Sequence, residues 1–180
     1  MNRSTIALWL RAMNPLKAPR GMAEAQRSAR SMVFGLAIAL VVGLIPTWWM
    51  FTSGWFETAM SSEYAKMGLS ADQVAMQREM MKAIFPFAMV SGAVFTVLLY
   101  GVLGVVQWRA MTRAIPIIML ALITYSLVAN MGMRLVGTMP TPDLPLWITL
   151  TTWPAAAISA VIYVASLQGA MMLHRLRGEP

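Results

Sequence analysis

Residues 31–51 read SMVFGLAIALVVGLIPTWWMF, twenty-one residues without one charged side chain. As a helix rising 1.5 Å per residue, the run is about 31 Å long. That matches the ~30 Å hydrocarbon core of a bilayer. Three more runs share the property, over 83–108, 114–137 and 146–173, broken only by Arg134 near the end of the third. Backbone polar groups in lipid must bond to one another, so each run is predicted to be a helix. A β-barrel would need many alternating segments of about ten residues, and none occurs.

Composition agrees. A soluble domain carries about a quarter charged residues, whereas here 12% are charged and 58% hydrophobic. The expected fold is all-α: an integral membrane four-helix bundle. Residues 1–30 form a basic cytoplasmic segment, 52–82 an outer loop and 174–180 a cytoplasmic tail. The first run follows too long a basic preamble, and is itself too long, to read as a cleaved signal peptide.

Charge sets the orientation. Residues 1–30 hold Arg3, Arg11, Lys17, Arg20, Arg27 and Arg30 against Glu24. The loop over 52–82 is mixed, the next carries Arg109 and Arg113, the last holds Asp143, and the tail ends with His174, Arg175, Arg177 and Glu179. This rich-poor alternation places both termini in the cytoplasm of a cell membrane, read here as a bacterial inner membrane. The net charge of +7 lies in these clusters, with no aromatic-rich basic groove, so nucleic acid is not an expected partner. Trp48, Trp49, Trp55 and Phe56 at the outer side and Trp108 at the inner side mark the interfaces.

Outside the spans, Ile6, Trp9, Leu10 and Met13 recur at helical spacing before Asn14-Pro15 breaks the pattern. An N-terminal interfacial amphipathic helix over 4–13 is predicted, the alternative being a short helix packed on a partner, or a disordered segment. In the outer loop Ser70-Ala71-Asp72-Gln73 fits a capping box, and the helix it starts can run unbroken into the second span. Pro46, Pro86 and Pro154 fall within helices, with Thr149, Thr151 and Thr152 placed to satisfy carbonyls freed by Pro154.

Two stripes of small residues are candidate helix-packing faces: Gly35, Ala39 and Gly43 in the first span, Gly92 and Gly104 in the second. They serve either packing within the chain or self-association. The candidate binding site is in the third span, where Ser126, Asn130 and Arg134 lie four apart. No acid lies in the spans to pair with Arg134. It either snorkels to the headgroups or faces inward to bind an anionic group such as a lipid phosphate.

Other chemistry finds little support. There is no cysteine, which excludes disulfides, thiol nucleophiles and thiolate metal sites. The sole histidine, His174, sits among solvated basic residues. No paired carboxylates, metal triad or phosphate loop is present, so neither an enzyme nor a cofactor is expected. Eighteen methionines raise Cu(I) ligation, with Met131 and Met133, or Met76, Met80 and Met81, as the clusters. Their scatter over all spans reads better as packing, and no metal site is assigned.

The order of these features resembles bacterial members of the Yip1-domain family. The matching parts are the N-terminal stretch with Asn14-Pro15, the segment Leu69-Ser70-Ala71-Asp72-Gln73 leading into the second span, and a third span opening at Ile115-Pro116 and containing Thr124-Tyr125-Ser126. Members usually cross the membrane five times, whereas four runs are found here. The resemblance implies membrane organisation or partner binding and assigns no functional residues. The expected function is therefore non-enzymatic: binding or organising membrane lipids or partner proteins, as an accessory subunit of a larger complex. The alternative is a small oligomeric transporter or channel component.

Overall fold

The computed structural model describes residues 3–136 and 145–178, and among them the chain is helical with no strand. Six helices follow one another: α1 (Arg3–Ala12), α2 (Met22–Thr52), α3 (Trp55–Lys66), α4 (Ala71–Ala110), α5 (Ala114–Val136) and α6 (Leu146–Gly178). Of these, α2, α4 and α6 are long and apolar enough to cross a membrane. The predicted outer residue Asp143 lies outside the described residues.

The helices overrun the uncharged runs. α2 begins at Met22, nine residues before the predicted span, because Ala25 and Ala29 in its basic first turns are buried against α6. Loss of charge marks where lipid begins, whereas helix limits follow caps and packing. α4 shows the predicted capping box: Ser70 Oγ accepts from the Gln73 N–H at 3.4 Å, and Gln73 Oε1 accepts from the Ser70 N–H at 3.0 Å. From there α4 runs 40 residues, about 60 Å, so it projects beyond a ~30 Å core. It ends at Met111, whose left-handed backbone (φ 50°, ψ 46°) closes the helix by an N–H bond to the Gln107 carbonyl. That conformation costs a non-glycine residue about 1–2 kcal/mol. The Met111 side chain gains contact with the cluster of Ala25, Ala29, Ala170 and Leu173.

Within the segment over 52–82, α3 forms a short helix of its own. The helix lies between Gly54 and Gly68, whose φ values of +67° and +65° suit the missing Cβ and let the chain turn sharply on either side. Tyr64 of α3 is buried, and Trp55 lies 6.5 Å from Trp49.

The core is an antiparallel pair, α2 and α6. Ala25 faces Gly169, Ser28 faces Ala165, Ala29 faces Ser166 and Gly35 faces Ser159, so rising numbers on one helix meet falling numbers on the other. The α6 face repeats every three or four residues through Ala155, Ser159, Ile162, Ser166, Gly169 and Leu173, all buried. A Cβ on Gly169 would stand 2.6 Å from the Ala29 nitrogen and 2.8 Å from the Ala25 carbonyl oxygen. Backbone meets backbone there. α4 lies on α2 near the C-terminal end of α4, with Gly104 beside Leu36, and α5 packs on α6 through Ile115 and Met119 against Tyr163.

Of the predicted small-residue stripes, Gly35 and Gly104 are buried and Ala39 half-buried. A Cβ on Gly35 would come 2.7 Å from the Tyr163 ring. Gly43 and Gly92 are exposed, and within this chain a Cβ on either meets nothing within 4 Å. The spacing continues past the end of the bundle where the close contacts lie.

All three prolines sit inside continuous helices. The threonines before Pro154 are corrected. Thr151 Oγ1 donates to the Ile148 carbonyl, and Thr152 Oγ1 to those of Ile148 and Thr149. The carbonyl four residues before Pro154 belongs to Leu150.

Gly169→Ala is expected to destabilise the bundle by about 1–3 kcal/mol, the usual cost of overpacking, because the added methyl meets backbone that cannot rotate away. Gly92→Ala should be neutral or slightly stabilising, since alanine is the better helix former. Thermal unfolding in one detergent, followed by circular dichroism, separates the two variants.

Candidate functional site

Polar side chains inside an apolar bundle are the first place to seek chemistry. Ser28 Oγ donates to the Ala165 carbonyl at 2.7 Å and Ser159 Oγ to the Gly35 carbonyl at 3.1 Å. The Ala29 carbonyl accepts twice, from Ser166 Oγ at 2.8 Å and Gln107 Nε2 at 3.1 Å. Gln107 Oε1 accepts from Thr112 Oγ1 at 3.3 Å. These hydroxyls and the amide are spent on backbone carbonyls of neighbouring helices. The network joins α2, α4 and α6; it is a fastening.

At one end of the bundle stand the beginning of α2, the end of α4, the beginning of α5 and the end of α6, so Arg27, Arg30, Arg109, Arg113, Arg175 and Arg177 share that end. α1 docks here. Trp9 stacks on Trp108 (6.2 Å, 20°) and meets Phe34 edge-on at 5.3 Å. The Ala12 carbonyl accepts from Ser28 Oγ at 3.0 Å, and Arg11 pairs with Glu24 at 3.5 Å. The interfacial-helix reading is therefore modified: Trp9 covers protein, while Ile6, Leu8 and Leu10 are exposed. Glu24 also accepts from the Arg20 backbone N–H at 3.0 Å. That hydrogen bond, followed by the charges of Arg11, Arg20 and Arg27, holds its carboxyl below the ordinary 4.5.

Three hollows border this framework. Between α2 and α4 a groove of about 460 Å³ runs along Val33, Ala37 and Leu40 on one side and Gly101, Gly104 and Val105 on the other, ending at Trp108 and Arg109. Arg30 Nε donates to the Trp108 carbonyl at 3.3 Å, and its guanidinium lies 5.3 Å from the centre of that indole. Between the start of α5 and the end of α6, an open hollow of about 690 Å³ is bordered by Arg113, His174 and Arg177. At the opposite end α2, α3 and α4 border about 250 Å³ among Met50, Met60, Met81 and Phe85, with Glu57, Arg78 and Lys82 also lining it.

Of the candidate anion-site residues, Ser126 is exposed on α5. Asn130 and Arg134 fall on the same helix, and their side chains lie outside what the structure describes. Met76 and Met80 are exposed on α4, and Met81 turns toward the outer hollow; the side chains of Met131 and Met133 are outside the description. His174 is exposed, as expected for a solvated residue.

The sequence reading passed over Gln107, Ser159 and Ser166. Their signal was present: a glutamine in an apolar run, and two serines seven residues apart on one helix face. Hydroxyl and amide groups in lipid need partners, which points to an interface.

No family model matches this chain, and neither does any curated protein or solved structure.

The lowered Glu24 carboxyl gives the docking of α1 a pH dependence. A group whose folded value is depressed contributes fully above its unfolded value and loses that contribution as pH falls through the folded one. The Arg11–Glu24 tie is therefore expected to hold at pH 7 and to weaken progressively below 4.5. Limited proteolysis across the 13–20 turn, compared at the two extremes, should show faster cleavage in acid, and Glu24→Gln should remove the difference.

Proposed function

We propose that this chain is a non-enzymatic multi-pass protein of a bacterial inner membrane that binds or organises lipids and partner proteins, as a subunit of a larger assembly. In this reading α5 is the fourth span: its 23 residues make about 35 Å of helix, enough for a ~30 Å core. Both termini are cytoplasmic, since the arginine-rich helix ends lie together and the positive-inside rule puts them there.

The observation that carries the reading is α4. α6 is buried over nearly half of its apolar stretch, while that of α4 is almost entirely exposed. Ile84, Phe87, Val94, Phe95, Leu98 and Val102 all look outward. An apolar helix of this length needs lipid or another protein around it. The buried Ser28, Ser159, Ser166 and Gln107, meanwhile, are occupied as fasteners. The features resembling the Yip1-domain family suit the same organising role.

Two measurements test the reading. Reporter fusions after residue 178 and within 109–113 should read cytoplasmic, and an insertion at Gly68 external; an external reading at 178 would remove one span. Purification in mild detergent should retain a stoichiometric membrane protein or bound lipid. Substrate flux in proteoliposomes from the chain alone would favour a transporter instead.

A further inference from the structure

We propose that the groove between α2 and α4 is a binding site for one anionic phospholipid of the inner leaflet, its acyl chain along the groove and its phosphate at Arg109 and Arg30. This rests on the reading that the chain spans a membrane with its basic end inside. It goes further by naming an occupant and its contacts.

The groove exists because α2 and α4 meet closely only near one level. At that level Gly104 approaches Leu36, and Gln107 reaches the Ala29 carbonyl. One turn outward, a Cβ added to Gly101 meets nothing within 4 Å, although Gly101 borders the groove. Glycine there leaves space that any larger residue would occupy. Its walls are Val33, Leu36, Ala37, Leu40 and Val105, which offer water no partners, and Tyr100 adds one hydroxyl to an otherwise apolar lining short of Trp108 and Arg109. An empty hollow forfeits dispersion contacts along its whole lining, so a flexible hydrocarbon chain is the fitting occupant.

Length and charge agree on which chain. From Val33 to Leu40 the helix advances about 10 Å, within one leaflet of a ~30 Å core. At the inner end Arg109 borders the groove, and Arg30 is held against the adjacent Trp108. No acidic residue lines it. Guanidinium groups match phosphate oxygens in geometry as well as charge, and Trp108 stands at headgroup level, where indoles are favoured. Trp9 of α1 stacks on that same indole, so α1 covers the headgroup end of the groove.

The test uses the full chain reconstituted in vesicles of equal parts phosphatidylcholine and phosphatidylglycerol, extracted in mild detergent and weighed by native mass spectrometry. The wild type should retain one phosphatidylglycerol in preference to phosphatidylcholine, by about tenfold for a charge-assisted contact. Gly101→Leu fills the groove and should lower retention of both lipids about tenfold, with helicity and melting unchanged. Arg109→Gln should keep a bound lipid but abolish the preference. Gly92→Leu, at an equally open glycine away from the groove, should behave as wild type. Equal retention of the two lipids by wild type, full retention by Gly101→Leu, or loss in Gly92→Leu would each overturn the site. So would a second copy of the chain bound in place of lipid. If alkaline carbonate strips the chain from the vesicles, the membrane reading itself fails. Loss of the groove result with the chain still inserted would sink the lipid site alone.

Discussion

The contact on which the rest depends is at Gly169, where the backbone of α6 lies against the backbone of α2 and the Cβ of Ser28. In lipid, apolar surface gains little by leaving its solvent, because the solvent is also apolar. Helices associate by close packing and by hydrogen bonds that span the interface. Gly169, Ala25 and Ala29 supply the closeness. Once the backbones are near, Ser28, Ser159 and Ser166 can reach carbonyls on the opposite helix.

The remaining helices are placed by that pair. Gln107 brings α4 to the doubly accepting Ala29 carbonyl, and Met111 turns the chain so that α5 starts beside the inner end of α6. Close contacts gather toward the end where the basic residues and α1 also lie. Farther along, α4 has few neighbours, which leaves both the α2–α4 groove and a long apolar face.

The sequence revealed some of this and hid some of it, for physical reasons. Helix existence was legible, because an uncharged run the length of a bilayer has few other outcomes. The Ser70–Gln73 capping box was legible because it is local chemistry. Which faces meet was not. In water a helix shows its buried side by apolar periodicity, but in lipid both sides are apolar and the signal flattens. The stripes therefore included Gly43 and Gly92, where nothing packs, and missed the seam at Ser159, Ser166 and Gly169. α3 was hidden because its apolar pattern is weak and its limits depend on the left-handed backbone at Gly54 and Gly68. Trp9 was visible as an amphipathic residue, but whether it covered lipid or Trp108 depended on tertiary contact. The Arg134 face was visible only as a spacing, and the side chains of Asn130 and Arg134 lie outside the described residues.

The α2–α6 register is the central claim, and it can be measured directly because the chain contains no cysteine. Ala25 and Ala170 share one buried cluster across the seam. With Ala25→Cys and Ala170→Cys in one chain held in native membranes, mild oxidation should form a disulfide within the chain, rapidly and nearly completely. Moving the second cysteine to Ile158, on an exposed side of α6 farther along the helix, should abolish it. An unlinked first pair, or a bond formed only between two chains, would contradict the account.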